Sequence, residues 1–266
     1  MGEPAELPVT SSVPVTLPES QELLFREVLA RLEEERLPFA VSGAVALQQH
    51  TGICRFTKDL DIFVPPPEAN RALRILAKEG FRCEVYDPVW LAKAWRDDFF
   101  VDIITGMSNG AITVDSEWIR RSHPSTVLGV PTRVLAPEEL IASKLFITRR
   151  ERFDGADIVH VIYALRGKLQ WQRILEIAGE HWELVFWALV LFRYVYPAQT
   201  HFVPQSVWNG LLGRFEEEVR TPNPKARFRG SLIDDKMFAI DVEEWGMDNI
   251  LKESQARRMK IEPVCE

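Results

Sequence analysis

Residues 59–64, Asp-Leu-Asp-Ile-Phe-Val, run straight into three consecutive prolines at 65–67, and this stretch constrains the fold more than any other. Aliphatic and aromatic residues favour an extended chain, and proline cannot continue a hydrogen-bonded ladder, so a strand ends there. Alternation sends Leu60 and Ile62 to one face and Asp59 and Asp61 to the other. The first face needs an apolar layer. The second holds two carboxylates whose Cα atoms lie ~6.5 Å apart, close enough to require a counter-charge. The strand is expected to be central in a sheet.

The surrounding pattern supplies the layers. Residues 20–35 repeat Leu23, Leu24, Val28, Leu29 and Leu32 at helical spacing. Residues 39–41 form a short strand, broken at Ser42-Gly43, before a helix over 44–50 that ends at Thr51-Gly52. A helix over 68–78 closed by Gly80 and strands over 81–86 and 99–105 follow, with a Trp-rich helical or irregular stretch between the two strands. A hairpin between Val127 and Val134 precedes Pro137, the expected first residue of a helix over 137–149. Residues 137–215 are mostly helical; 227–234 and 237–242 can pair as a hairpin, and a charged helix spans 249–260. The predicted class is therefore α+β. A mixed sheet flanked by helices occupies 19–135, a mainly helical domain occupies 136–266, and residues 1–18, with four prolines, form a flexible lead-in.

Composition excludes several functions. A net charge of −7 argues against broad DNA binding, which requires an extended positive surface. Cys54, Cys83 and Cys265 have no metal-binding spacing and suit a reducing cytoplasm. No secretory signal is recognisable, and the most apolar run, 184–192, falls far short of the roughly 20 residues that cross a bilayer. A cytoplasmic protein without membrane contact is expected.

Chemistry concentrates around the acid pair. Asp59 and Asp61 can share a hard divalent cation; as an isolated motif they would more often be a solvated strand end, and it is the context that favours the cation. Just upstream, Ser42 and Gly43 stand at a strand-to-helix turn, where free amides can receive phosphate oxygens. Asp102 lies within the apolar string Phe100-Val101-Asp102-Ile103-Ile104, where an acid is costly unless compensated. It can ligate the metal and accept a proton, or belong to a structural ion pair. Arg55, Thr57 and Lys58 can neutralise phosphate or be solvated. Lys144, on a helix face with Ile141 and Leu145, either reaches water or meets an anion. Asp157 has a second reading as an acid at a helix N-terminus. His50 fits a structural role, and Lys225, Arg227 and Arg229 form a basic loop cluster that either meets a phosphate-bearing acceptor or is solvated.

Gly43-Ala44, Asp59-Leu60-Asp61 and Asp102, in that order, resemble the nucleotidyltransferase superfamily typified by DNA polymerase β. The longer string from Ser42 through His50-Thr51-Gly52 to Arg55-Phe56-Thr57-Lys58-Asp59 looks like the branch that includes AbiEii-type toxins. The resemblance implies Mg2+ (or Mn2+) on Asp59, Asp61 and Asp102. It also implies a nucleoside triphosphate such as ATP held by Ser42, Gly43, Ala44, Arg55, Thr57, Lys58 and Lys144, with Asp157 completing the site. Ala44 departs from the usual Gly or Ser, so a side-chain hydroxyl that helps hold the triphosphate is missing, although the backbone amide is kept.

The expected activity is metal-dependent transfer of a nucleoside monophosphate to an acceptor hydroxyl with release of pyrophosphate. The acceptor is left open between an RNA end, a protein and a small molecule. The Ala44 departure motivates an alternative, a catalytically weak nucleotide-binding or toxin–antitoxin-type interaction module on the same fold. A haloacid-dehalogenase-type phosphatase or a glycosyltransferase fits less well, because the apolar run Ile62-Phe63-Val64 follows the acids rather than preceding them.

Overall fold

The computed structural model describes residues 17–263, so most of the expected lead-in, and Cys265, lie outside the described residues. Seven strands form one sheet: β1 (Ala40–Val41), β2 (Asp59–Phe63), β3 (Arg82–Asp87), β4 (Leu91–Arg96), β5 (Phe99–Ile104), β6 (His123–Val127) and β7 (Val130–Val134). Their spatial order is β3-β4-β5-β2-β1-β7-β6. β2 runs parallel to β5 and β1 parallel to β7, while the other neighbours are antiparallel. β2 is the middle strand of the seven.

Leu60, Ile62, Val101, Ile103, Ala92 and Ala94 are all at most 1 % exposed and form an apolar floor. Helices α1 (Glu19–Glu34) and α3 (Pro66–Lys78) pack on the sheet, touching each other and, respectively, β7 and β3–β5. After α4 (Ser116–Arg121), which leads into β6, come α5 (Pro137–Lys144) and α6 (Gly155–Ala164), and α2 (Gly43–Thr51) packs on β2 and joins both of these. The chain continues through α7 (Trp171–Ala178), α8 (Trp182–Val195) and α9 (Gln205–Arg220). A mixed sheet flanked by helices and followed by helices is an α+β architecture.

Four local expectations are corrected. The Trp-rich stretch is β4: although Leu, Ala and Lys favour helix, pairing on both sides overrides that propensity, and Ala92 and Ala94 are small enough to lie under α3. The helix from Pro137 stops at Lys144 rather than 149, because the chain turns back and Asp154 N donates to Ile147 O. The expected hairpin over 227–242 is absent; the segment forms two short helices, Gly230–Ile233 and Ala239–Glu243. The Asp234 carboxylate accepts the amides of Lys236 and Met237, each at 3.0 Å, which closes a turn, and Phe228 packs edge-on to Phe238. The charged helix beyond is shortened to Ile250–Ala256.

That last helix returns the chain to the sheet. Gln255 donates to Ser108 O, Arg258 to Gly110 O and Ala111 O, and Ile261 N to Pro88 O. Among the described residues, no helix is long and apolar enough to cross a membrane.

Candidate active site

Parallel pairing of β2 with β5 sets Asp61 directly beside Asp102 and Asp59 beside Phe100. Since the faces alternate, all three carboxylates share one side, and one oxygen from each lies within 4.8 Å of the others. The Thr57 hydroxyl donates to Asp59 Oδ1. Thr57 is itself held through its carbonyl, which accepts from Gln21 Nε2 of α1 at 2.8 Å.

The negative charge of the cluster is only partly offset by nearby cations. Burial, and then the charges of Asp59 and Asp102, push the Asp61 carboxyl up to about 7. Burial also raises Asp102, against the opposing hydrogen bond from Lys93. Three carboxylates that cannot all ionise comfortably at neutral pH, each offering an oxygen to one point, fit a hard divalent cation.

The Ser42–Gly43 turn closes directly over this cluster. Ser42 N donates to Asp61 O at 2.9 Å, and Gly43 has φ +57°, a conformation L side chains rarely adopt. A Cβ at Gly43 would lie 1.8 Å from Asp61 Oδ2. Ser42 gives α2 no side-chain cap, so its first-turn amides, which have no intrahelical acceptors, remain available to an anion next to the acids. Ala44 lines the cleft here without a hydroxyl.

The basic residues come from two other segments. Lys144, 7 % exposed, places Nζ 2.8 Å from both Asp154 Oδ2 and Asp157 Oδ2. Arg55 reaches Asp157 Oδ1 at 2.6 Å, and Arg152 reaches Asp154 at 3.0 Å. Burial would raise Asp154, but the Arg152 hydrogen bond and the Lys144 charge hold it below its ordinary value. Arg55, Lys144, Arg152 and Asp157 border a cleft of about 290 Å³ that also contains Ser42, Gly43 and the three acids. Its other wall is apolar, built from Phe63, Trp90, Ile104, Met107 and Ile147. A second cavity of about 540 Å³ shares Ala44, Arg55 and Thr57 with it.

Of the residues singled out in the sequence, Ser42, Gly43, Ala44, Arg55, Thr57, Asp59, Asp61, Asp102, Lys144 and Asp157 meet at this cleft. Lys58 does not line it and is exposed. His50 Nε2 donates to Leu135 O at 2.7 Å, burial lowers its pKa, and it does not line the cleft. Arg227 pairs with Glu253 and Asp248, and Arg229 with Glu183 and Glu180, in surface bridges away from the cleft. Lys93, Arg152 and Asp154 escaped the sequence reading. Arg152 and Asp154 stand within five residues of Asp157, and the Leu91/Lys93/Trp95 alternation was the available sign of a strand carrying Lys93 toward Asp102.

The family described as "Uncharacterised nucleotidyltransferase" matches residues 19–192, and the match does not single out the AbiEii-type branch. No curated protein matches. Among solved structures, the antibiotic-resistance factor ANT(2'')-Ia is 19% identical, with 70% of this chain and 97% of that one covered and a TM-score of 0.41. A putative nucleotidyltransferase from Thermotoga maritima is 18% identical, over 51% and 89% of the two chains, with a TM-score of 0.40. The lincosamide antibiotic adenylyltransferase LnuA is 15% identical, over 55% and 96%, with a TM-score of 0.39.

Proposed function

Since the chain belongs to the uncharacterised nucleotidyltransferase family, we propose that it moves a nucleoside monophosphate from a nucleoside triphosphate to an acceptor hydroxyl, with Asp59, Asp61 and Asp102 at the reacting centre. The observation that carries this reading is the contact between Gly43 and Asp61. The phosphate-receptive end of α2 and the three-carboxylate cluster touch each other, so an anion and a divalent cation would be bound side by side.

Asp59, Asp61 and Asp102 would hold Mg2+ or Mn2+, which when bound neutralises phosphate charge and lowers the barrier to attack. The amides at Gly43 and Ala44 orient the triphosphate along the α2 axis. Lys144 and Arg55 exchange a carboxylate partner for phosphate oxygens, so Asp157 acts as the counter-charge that keeps both in place before the nucleotide arrives. The oxygen of Asp102 that faces the other acids takes the proton of the acceptor hydroxyl as the P–O bond forms and pyrophosphate leaves. The neighbouring cavity beyond Ala44 gives the nucleoside room.

The test is incubation with each of four α-labelled triphosphates, Mg2+ and pools of RNA, protein or small molecules, beside Asp59→Ala/Asp61→Ala. Label transfer by the wild type alone supports the reading. Triphosphate binding without transfer favours the binding-module alternative, for which the missing hydroxyl at Ala44 is the specific motive. Neither binding nor transfer overturns both.

A further inference from the structure

The row that begins with Asp61 on β2 and Asp102 on β5 continues onto β4, where Lys93 stands directly opposite Asp102. Lys93 Nζ lies 2.6 Å from Asp102 Oδ1, and the two side chains are only 13% and 11% exposed. Rings surround the ammonium: Phe100 has its centroid 4.1 Å away, Tyr86 5.6 Å and Trp95 5.8 Å. Aromatic faces attract a cation and exclude the water that would otherwise solvate it. Lys93 also has Glu84 as its β3 cross-strand neighbour. Glu84 is exposed, and among the described residues the ion pair formed is the one with buried Asp102.

Stability alone does not account for this choice. Withdrawing an ammonium and a carboxylate from water is costly, and apolar replacements of a buried pair are often neutral or stabilising. A lysine facing Glu84 instead would avoid much of that cost. What the pair does provide is geometric. The hold of Lys93 on Oδ1 from the β4 side restrains the Asp102 carboxylate about its last torsion and opposes its offering both oxygens to one cation. The ion pair occupies Oδ1, while Asp102 as a whole sits in the acid cluster, one of its oxygens lying within 4.8 Å of an oxygen of Asp59 and of Asp61.

We infer that Lys93 is a positioning residue of this active site, which restrains Asp102 so that a single carboxylate oxygen serves the cation and the acceptor hydroxyl. The inference rests on the proposed nucleotidyl transfer for its consequence in catalysis, but the restraint itself is a property of the resting protein. Lys93 does not touch the triphosphate side of the cleft, which is built from α2, Arg55 and Lys144. Its removal should therefore spare nucleotide binding and damage turnover.

The experiment compares the wild type, Lys93→Met and Lys93→Arg in two measurements. In the first, Mn2+ is titrated into the full-length protein without nucleotide and free ion is followed by electron paramagnetic resonance. Lys93→Met frees Oδ1 and removes a positive charge beside the cluster, so Mn2+ should bind at least about threefold more tightly, while Lys93→Arg, which keeps a cationic donor, stays near the wild type. In the second, label transfer is measured at varied triphosphate. Lys93→Met should lower kcat by about 30-fold or more with KM for the triphosphate within about twofold, because a misplaced acid costs turnover rather than binding. Lys93→Arg should recover part of kcat.

Unchanged or weaker Mn2+ binding in Lys93→Met, or an unchanged kcat, overturns the inference while leaving the proposed transfer standing. A parallel rise in KM with unaltered kcat also overturns it, since that marks a triphosphate contact. If no protein, wild type included, transfers label, the transfer reading fails and the Mn2+ comparison decides whether Lys93 restrains Asp102. No Mn2+ binding by the wild type overturns both.

Discussion

Replacing Gly43 by alanine separates backbone strain from damage to the acid cluster. An L residue at φ +57° costs roughly 1–2 kcal/mol. The added Cβ would meet Asp61 Oδ2 at 1.8 Å and Cγ at 2.7 Å, whereas non-bonded heavy atoms settle at about 3.5 Å, so the carboxylate must swing aside by more than about 1 Å. A side-chain tip moves cheaply, and the stability loss should stay close to the backbone term, lowering Tm by roughly 2–4 °C for a chain of this size. Function is less forgiving: a misplacement of about 1 Å at a reacting centre costs on the order of 100-fold in rate. Gly80→Ala is the matched control, with φ +82° and nothing within 4 Å of the new Cβ. Thermal melts, Mn2+ titration and label transfer on both variants should show similar Tm losses, but weakened Mn2+ binding and lost transfer only in Gly43→Ala. Equal Mn2+ affinity and transfer within twofold of Gly80→Ala would refute the claim that this glycine exists to admit Asp61.

Two further outcomes follow from the burial of charge. Because the folded state lifts the Asp61 carboxyl from 3.8 to about 7, the metal-free native state binds the proton more tightly than the unfolded chain, and this group lowers stability as pH rises from about 4 to 7, by at most about 4 kcal/mol. Asp61→Asn should therefore raise the Tm of the metal-free protein at pH 8 and abolish stabilisation by added Mg2+; a lower Tm in scanning calorimetry at that pH would contradict the shift. Away from the cleft, Glu139 is fully buried and accepts from Arg121 and Arg173, each at 2.9 Å. Glu139→Ala leaves Arg173 without a carboxylate among the described residues and should cost about 3–5 kcal/mol in urea unfolding, with a loss under 1 kcal/mol counting against the network.

Much of the site could be read from residues close in sequence. Asp59 and Asp61 share a face because strands alternate, and the proline triplet made that strand recognisable. Gly43 stood at an evident strand-to-helix break, and Asp102 was conspicuous as an acid in an apolar string. Lys93 was hidden for the opposite reason: Leu91-Ala92-Lys93-Ala94 has helix-favouring composition, and only its pairing with β3 and β5 makes it a strand. The bonds from Lys144 to Asp154 and Asp157 depend on where α5 stops, which is decided by the chain reversal after it rather than by helix propensity. The 227–242 segment looked like a hairpin because its apolar residues are closely spaced, yet Phe228 and Phe238 satisfy each other locally and no sheet edge receives them.

The bonds from Gln255, Arg258 and Ile261 to residues 88–111 also bear on the order in which the molecule matures. Met107, on the cleft's apolar wall, belongs to the loop whose carbonyls at Ser108, Gly110 and Ala111 are claimed by side chains nearly 150 positions later. Chains emerge from the ribosome N-terminus first, at about 5–20 residues per second. The sheet with its three acids can assemble while that wall is still unfastened. For several seconds of synthesis, then, a nascent chain would hold the charged half of its cleft while the Met107 loop of the opposite wall is still unfastened.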